Sequence, residues 1–426
     1  MRLLSRSSSS SSIASSAALL VAGVALGAGC GSGNASNPDG GGTGGCPNGL
    51  MKFDTVCVTQ PTLPAARTPC GDVYEFCDKM QTTAPVLSCL TGPAKMHPAT
   101  PAAVTLAGYI HPFSGGKSNA PVYIQVFKAA DLEGGKDITT VKPIAEKEFP
   151  FDPSKAADAT QFRACDGTEK IGPMIGCVPV NPGACNPLCA DGLPDGNGGV
   201  RPDNNKYCLT KNGVSMCSDR LRWERRFALD NIPTNTSLVI RSSGEGGKPQ
   251  QGTWNTLVQW NVFLPSDAPS CGGDSEAVDC MDTRDMAHPK YQINVNVLSQ
   301  ADYGNIPVSA GLAAGISPNL GAVAGEVHDC DNVRVGNVMV GVSPTGERLT
   351  YFNGNPYNTV PDSSRASTGT DRLGLYTSLN IKPGPVTVQA VGLVGGMPVS
   401  LGKYTAYTYP GTVSVVNING GRPVQQ

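Results

Sequence analysis

The stretch GAVAGEVHDCDNVRVGNVMVGVS, residues 321–343, is echoed earlier in the chain. Ala324-Gly325-Glu326-Val327-His328 answers Ala107-Gly108-Tyr109-Ile110-His111 at an offset of 217 residues. Val338, Val340 and Val342 answer Val122, Ile124 and Val126 at an offset of 216. Period-two alternation puts each trio on one face of a strand. One β scaffold is therefore used twice. Each trio should face a core between sheets, so Val340→Asp should unfold the second copy. Met339→Asp, on the opposite face, should be milder.

The whole chain has 426 residues, 39% of them hydrophobic, enough for two ordinary domains with additions. Its 52 glycines and 35 prolines favour many short strands and turns over long helices. Net charge is −2, from 32 basic and 34 acidic residues, with no basic stripe, which argues against a nucleic-acid partner. Fifteen cysteines fit an oxidising compartment.

Arg2 and Arg6, a serine run and an apolar core over 13–28 read as a signal peptide, residues 1–29. The segment ends Leu26-Gly27-Ala28-Gly29-Cys30, which resembles a bacterial lipoprotein signal, with the leucine one place earlier than that family favours. The resemblance implies that Cys30 becomes the first mature residue and carries the lipid. Ordinary cleavage, with Cys30 free to form a disulfide, is the alternative. Residues 30–45 form a glycine-rich tether that buries no core. Its flexible part spans roughly 20–23 Å. Gly31 stands where an aspartate would resemble an inner-membrane retention signal, so the outer membrane is the expected location.

Residues 46–97 hold Cys46, Cys57, Cys70, Cys77 and Cys89 and read as a cystine-stapled cap with a short helix over 72–76. The first module spans 98–299, with strand candidates at 104–110, 121–127, 227–229, 238–241, 256–263 and 291–297. Trp254 and Trp260 flank one of these strands and suit a core between sheets or an exposed sugar-stacking platform. After a linker at 300–319, the second module, 320–420, offers seven short strands in about a hundred residues, the pattern of a Greek-key sandwich. Residues 421–426 form a tail.

A third correspondence sizes an insertion. Residues 227–233 match 376–382 at an offset of 149, against 216 for the preceding strand, so the first module carries about 67 extra residues, roughly 153–219. They contain Cys165, Cys177, Cys185, Cys189, Cys208 and Cys217, and disulfides are expected to replace a core there. The expected fold class is thus all-β: two tandem Greek-key β-sandwich modules, a cystine-rich N-terminal cap and a cystine-rich insertion in the first module.

Residues 325–329, the strand at 337–342, Gly374-Leu375-Tyr376 and the run 381–388 resemble a carboxypeptidase regulatory-like domain of transthyretin-type fold. The resemblance covers about a quarter of the chain well and the first module more loosely. It implies an accessory β-sandwich, found in peptidases and in many surface proteins, that carries no catalysis itself. No peptidase domain accompanies it.

The zinc-protease, serine-hydrolase and P-loop motifs are missing from the sequence, and no dinucleotide-binding glycine pattern stands between a strand and a helix. His111 and His328 sit at matching strand ends, which the repeat explains without a metal. Asp274, Glu276, Asp279, Asp282 and Asp285 lie on one loop near Cys271 and are candidate calcium ligands, although their spacing is not that of an EF-hand. Beyond such structural calcium no cofactor is expected. The chain reads as a non-catalytic envelope protein with two partners, the lipid bilayer through its N-terminal lipid and an envelope protein or glycan. A carbohydrate-binding surface protein and a metal-dependent hydrolase are the alternatives.

Cysteine parity adds one long-range expectation. With Cys30 lipidated and the six insertion cysteines paired among themselves, Cys271 and Cys280 bracket one loop and Cys46 and Cys57 make a local pair. Cys330 stands alone in the second module and must bond the cap, with Cys89 the favoured partner.

Overall fold

The chain folds as mostly short strands, and it begins with a cap. The computed structural model describes residues 46–47, 49–68, 83–91, 103–113, 120–149, 225–247, 253–271, 278–282, 288–354 and 359–419. It also describes strand backbone at 163–164, 170–171, 188–194, 200–211 and 214–219. In the cap, β1 (Leu50–Phe53) and β2 (Val56–Thr59) form an antiparallel hairpin, followed by β3 (Ala66–Thr68) and one helical turn, α1 (Ser88–Thr91). The helix expected over 72–76, with Cys70 and Cys77, lies outside the described residues.

The first module opens with β4 (Ala103–Pro112), β5 (Val122–Lys128) and β6 (Ala145–Phe149). The insertion forms a sheet of its own from β7 (Arg163–Ala164), β8 (Lys170–Ile171), β9 (Leu188–Pro194), β10 (Val200–Lys211) and β11 (Val214–Asp219), ordered β7-β11-β10-β9-β8. Its six cysteines have side chains outside the description. The module resumes with β12 (Arg225–Pro233), β13 (Ser237–Ser243), β14 (Trp254–Asn255), β15 (Leu257–Phe263), β16 (Cys280–Asp282), β17 (Lys290–Gln292) and β18 (Val295–Ser299).

The stretch expected to be a plain linker instead begins with a helix, α2 (Gln300–Ser309). Ser299 caps it, accepting a 3.0 Å hydrogen bond from the Asp302 amide. The second module then supplies β19 (Gly321–His328), β20 (Arg334–Gly336), β21 (Val338–Ser343), β22 (Arg348–Tyr351) and β23 (Leu375–Ile381). It ends with β24 (Gly384–Val394), β25 (Met397–Thr408), β26 (Val413–Val416) and β27 (Ile418–Asn419).

The two copies of the repeat occupy equivalent places. β4 has antiparallel β12 on one side and parallel β17 and β18 on the other. β19 has antiparallel β23 on one side and parallel β26 and β27 on the other. Where each parallel partner breaks in two, a backbone carbonyl turns toward the repeated glycine. A Cβ on Gly108 would stand 1.8 Å from the Ile293 oxygen, and one on Gly325 would stand 2.0 Å from the Val416 oxygen. Only glycine permits that approach. Asn231 and Asn380 also match, with φ of 61° and 57° beside a register shift in each copy. Asparagine tolerates that left-handed conformation better than most residues.

The modules do not stop at their chain boundary. β15 pairs in parallel with β26, from Leu257↔Val413 to Trp260↔Val416, giving the continuous order β22-β23-β19-β26-β15-β13-β5-β6. Phe127, Val239, Val258 and Trp260 from the first module share one buried cluster with Val323, Val338, Val388 and Val416 from the second. Leu132 and Ile138, from the loop after β5, enter the same cluster. Trp254 packs in the other core with Val122, Ile124 and Val126. Both tryptophans are core residues, which removes them as an exposed sugar platform.

One expectation fails, at β21. Val338, Val340 and Val342 are buried as their alternation requires, but Met339 is buried as well. The cap is the reason. β2 lies against that second face, and a Cβ on Gly341 would come within 2.5 Å of Val56 and 2.6 Å of Val58. Met339→Asp is therefore expected to damage folding as severely as Val340→Asp, since either buries an unpaired carboxylate. Gly341→Ala should cost about 1–3 kcal/mol by overpacking. Urea unfolding of the three variants checks both statements.

Candidate functional site

Two places gather chemistry in the described residues. The first is the junction where the cap meets the second module. Asp329 has a fully buried side chain whose Oδ2 lies 2.8 Å from Arg67 Nε and accepts from the Val86 amide at 2.9 Å. Its Oδ1 accepts from the amides of Asp331 and Val333 at 3.0 and 3.1 Å. Arg67 also donates from Nη2 to Asp331 at 2.9 Å, and β3 pairs antiparallel with β20 alongside. Cys89 is bonded to Cys330 across 241 residues, the long-range pair that parity favours. Cys46–Cys57 and Cys271–Cys280 are likewise bonded.

Charge continues along the junction. Glu326 Oε2 stands 2.7 Å from His328 Nε2 and accepts from Arg334 Nε at 3.2 Å. Burial pushes the Glu326 carboxyl up, but the Arg334 guanidinium and the His328 hydrogen bond outweigh it and hold the group at about 2. His328 Nδ1 faces the Asn332 backbone and side-chain oxygens at 3.1 and 3.0 Å. Asn332 Nδ2 donates to Asp279 at 3.0 Å, which ties the loop closed by Cys271–Cys280 to the second module. Every group here is spent on holding elements together, and none is aimed at open space with a second reactive partner.

The second place is a groove of about 420 Å³ on the first module. It reaches from β6, past β12 and β4, to β17 and β16. Ala107, Gly108 and Ala228 border it together with Phe149 and Phe227, whose rings pack edge to face at 6.2 Å and belong to the buried core. Lys147, Lys290, Asp282 and Gln292 bring polar groups to it. Lys147 Nζ lies 5.3 Å above the Phe149 ring, a cation–π arrangement. Asp282 and Lys290 are cross-strand partners and share one face.

The repeat shows how this face differs between the two modules. Thr105, Ala107, Ala228 and Asp230 on the outer side of β4 and β12 correspond to Ala322, Ala324, Thr377 and Leu379 on β19 and β23. In the second module that face is covered, because Ala322 and Leu379 pack with Tyr303 and Ile306 of α2 and with Leu312 and Ile316 beyond it. In the first module Ala228 and Asp230 remain exposed.

Two of the five candidate calcium ligands, Asp279 and Asp282, fall in the described residues. Asp279 is engaged with Asn332, and Asp282 is a buried strand residue opposite Lys290. Asp274, Glu276 and Asp285 lie outside the described residues. Among the described residues no group of three His, Cys, Asp or Glu is placed to hold a metal ion. Sequence reasoning missed the groove, since no motif marks it. The available signal was Asp230 standing where the repeat has Leu379.

Asp329→Ala leaves Arg67 without its buried partner and is expected to cost about 3–5 kcal/mol of stability, read from urea unfolding. Glu326 has a folded pKa of about 2, below its ordinary 4.5, so its contribution is present above about pH 4.5 and is lost as pH falls toward 2. Glu326→Gln should flatten the stability profile across that window.

No protein-family model, curated protein or solved structure matches the chain.

Proposed function

We propose that the chain is a non-catalytic, lipid-anchored protein of the bacterial outer membrane that presents one rigid β block for binding or scaffolding. The observation that carries this reading is the sharing of one continuous sheet and one buried cluster by both modules, with the cap bonded to the second of them. A block fastened in this way keeps its exposed faces in a fixed relation, which suits presentation to a partner better than it suits catalysis by closure of one part on another.

Anchoring rests on the N-terminal sequence. Leu26-Gly27-Ala28-Gly29-Cys30 follows the apolar segment, and the glycine-rich run over 31–45 separates Cys30 from Cys46, the first cysteine of the block. Removing Cys30 from the thiol pool leaves fourteen cysteines, an even set. A diacylglycerol supplies two chains at one site, and two chains anchor a protein stably where one does not. The modules themselves are best placed with carboxypeptidase regulatory-like accessory sandwiches, on the residues 325–329 and 374–388 that resemble them.

Mass spectrometry of the mature N-terminus should find diacylglycerol on Cys30, and Cys30→Ser should move the protein from the outer-membrane fraction to the soluble periplasmic fraction. An unmodified mature chain beginning at another residue would end the anchoring proposal.

A further inference from the structure

We propose that the tip made by the β24–β25 hairpin and the adjoining cap segment at Leu63 docks on the bilayer surface that holds the lipid anchor. Docking of this kind rests on the anchored reading above and adds to it which end of the block faces the membrane.

Two uncharged runs build the tip. Residues 60–66, QPTLPAA, lead from β2 into β3, and residues 390–402, AVGLVGGMPVSLG, hold the hairpin turn at Gly395 and Gly396; neither run contains Asp, Glu, Lys or Arg. A parallel bridge between Pro64 and Leu393 joins them, and the Ala65 amide donates to the Leu393 carbonyl at 2.9 Å. Leu393 in turn pairs with Pro398, and Val394 pairs with Met397. Leu63 is 42% exposed and Met397 68%, with Pro64 exposed beside them. Leu50, a third exposed apolar residue, stands opposite Thr59, where the first run leaves β2. The other two large apolar side chains exposed among the described residues have charged company. Val278 adjoins Asp279, and Val308 lies near the end of α2, where Arg348 donates to the Ala310 carbonyl at 2.8 Å. Lys403, the first charge after the tip on β25, is paired with Asp54. An apolar patch without charge favours transfer out of water and has no ion to desolvate on the way.

The tether selects the bilayer as the occupant. Cys46, where residues 31–45 end, is bonded to Cys57, with the two Cα atoms 5.5 Å apart. Leu63 follows Cys57 by six residues, which span at most ~22 Å of extended chain. Fifteen residues of glycine-rich composition place Cys30 a further ~20–23 Å from Cys46. The lipid is thus attached within reach of the tip. Docking is then an intramolecular step, so a patch too small to hold a membrane by itself suffices.

NMR of the mature lipidated chain, isotope-labelled at its methionine methyls, tests the docking in nanodiscs of phosphatidylethanolamine and phosphatidylglycerol that carry a nitroxide lipid. The Met397 methyl signal should be lost to paramagnetic broadening, while Met281, in the core of the first module, keeps its signal. Leu63→Asp combined with Gly395→Asp sets two carboxylates at the tip and should restore the Met397 signal. Both positions are exposed, a side chain on Gly395 meets nothing within 4 Å, and aspartate tolerates its φ of 59°. The double variant is therefore expected to keep its far-ultraviolet circular dichroism. A Met397 signal that survives on the anchored wild-type chain, or one still lost in the folded double variant, would overturn the docking and leave the anchor standing. A chain that does not stay with the nanodiscs would overturn anchor and docking together. Broadening of Met397 that needs no nitroxide and grows with the number of chains per disc would give the tip to a second copy of the chain instead.

Discussion

Four backbone register pairs between β15 and β26 turn two sandwiches into one body. Each of those strands would otherwise be a sheet edge with unpaired amides and carbonyls, an arrangement that invites pairing with other chains. Joined in parallel, they carry the sheet across the module boundary and bring Trp260 and Val258 against Val416 and Val323. Parallel pairing needs a long connection between its strands. Here the intervening chain contains α2 and most of the second module.

The cap completes what the sheets leave open. β21, β24 and β25 form a three-stranded layer with one face on the shared core, and β2 covers part of the other through Val56 and Val58. Three kinds of bond then fix the cap: the β3–β20 ladder, the buried Asp329–Arg67 pair and the Cys89–Cys330 disulfide. A loop of 241 residues closed by one disulfide restricts the unfolded chain by about 5.5 kcal/mol in the chain-entropy model. The buried pair gives geometry more than net stability, because desolvation offsets much of its attraction.

Much of this was legible in the chain. The repeated Ala-Gly motif marked the two central strands, and the close carbonyl approach to Gly108 and Gly325 is the physical cause of that repetition. Counting cysteines by segment pointed to the Cys89–Cys330 bond. What stayed hidden depends on contacts distant in sequence. Met339 looks solvent-facing by alternation, but β2, some 280 residues earlier, lies against that face at Gly341 and the turn at Gly369 packs on the Met339 sulfur. The groove was hidden for the opposite reason: its identity lies in which of two equivalent faces α2 covers, and no local pattern states that.

The central claim, that the two repeats are one cooperative body, is tested most directly by native-state amide hydrogen exchange on β15 and β26. If the shared sheet governs stability, amides of 257–260 and 413–416 open together, with the same free energy and the same dependence on denaturant. If β26 and the second module exchange through an opening that leaves β15 fully protected, the modules are independent sandwiches and the one-body description is wrong.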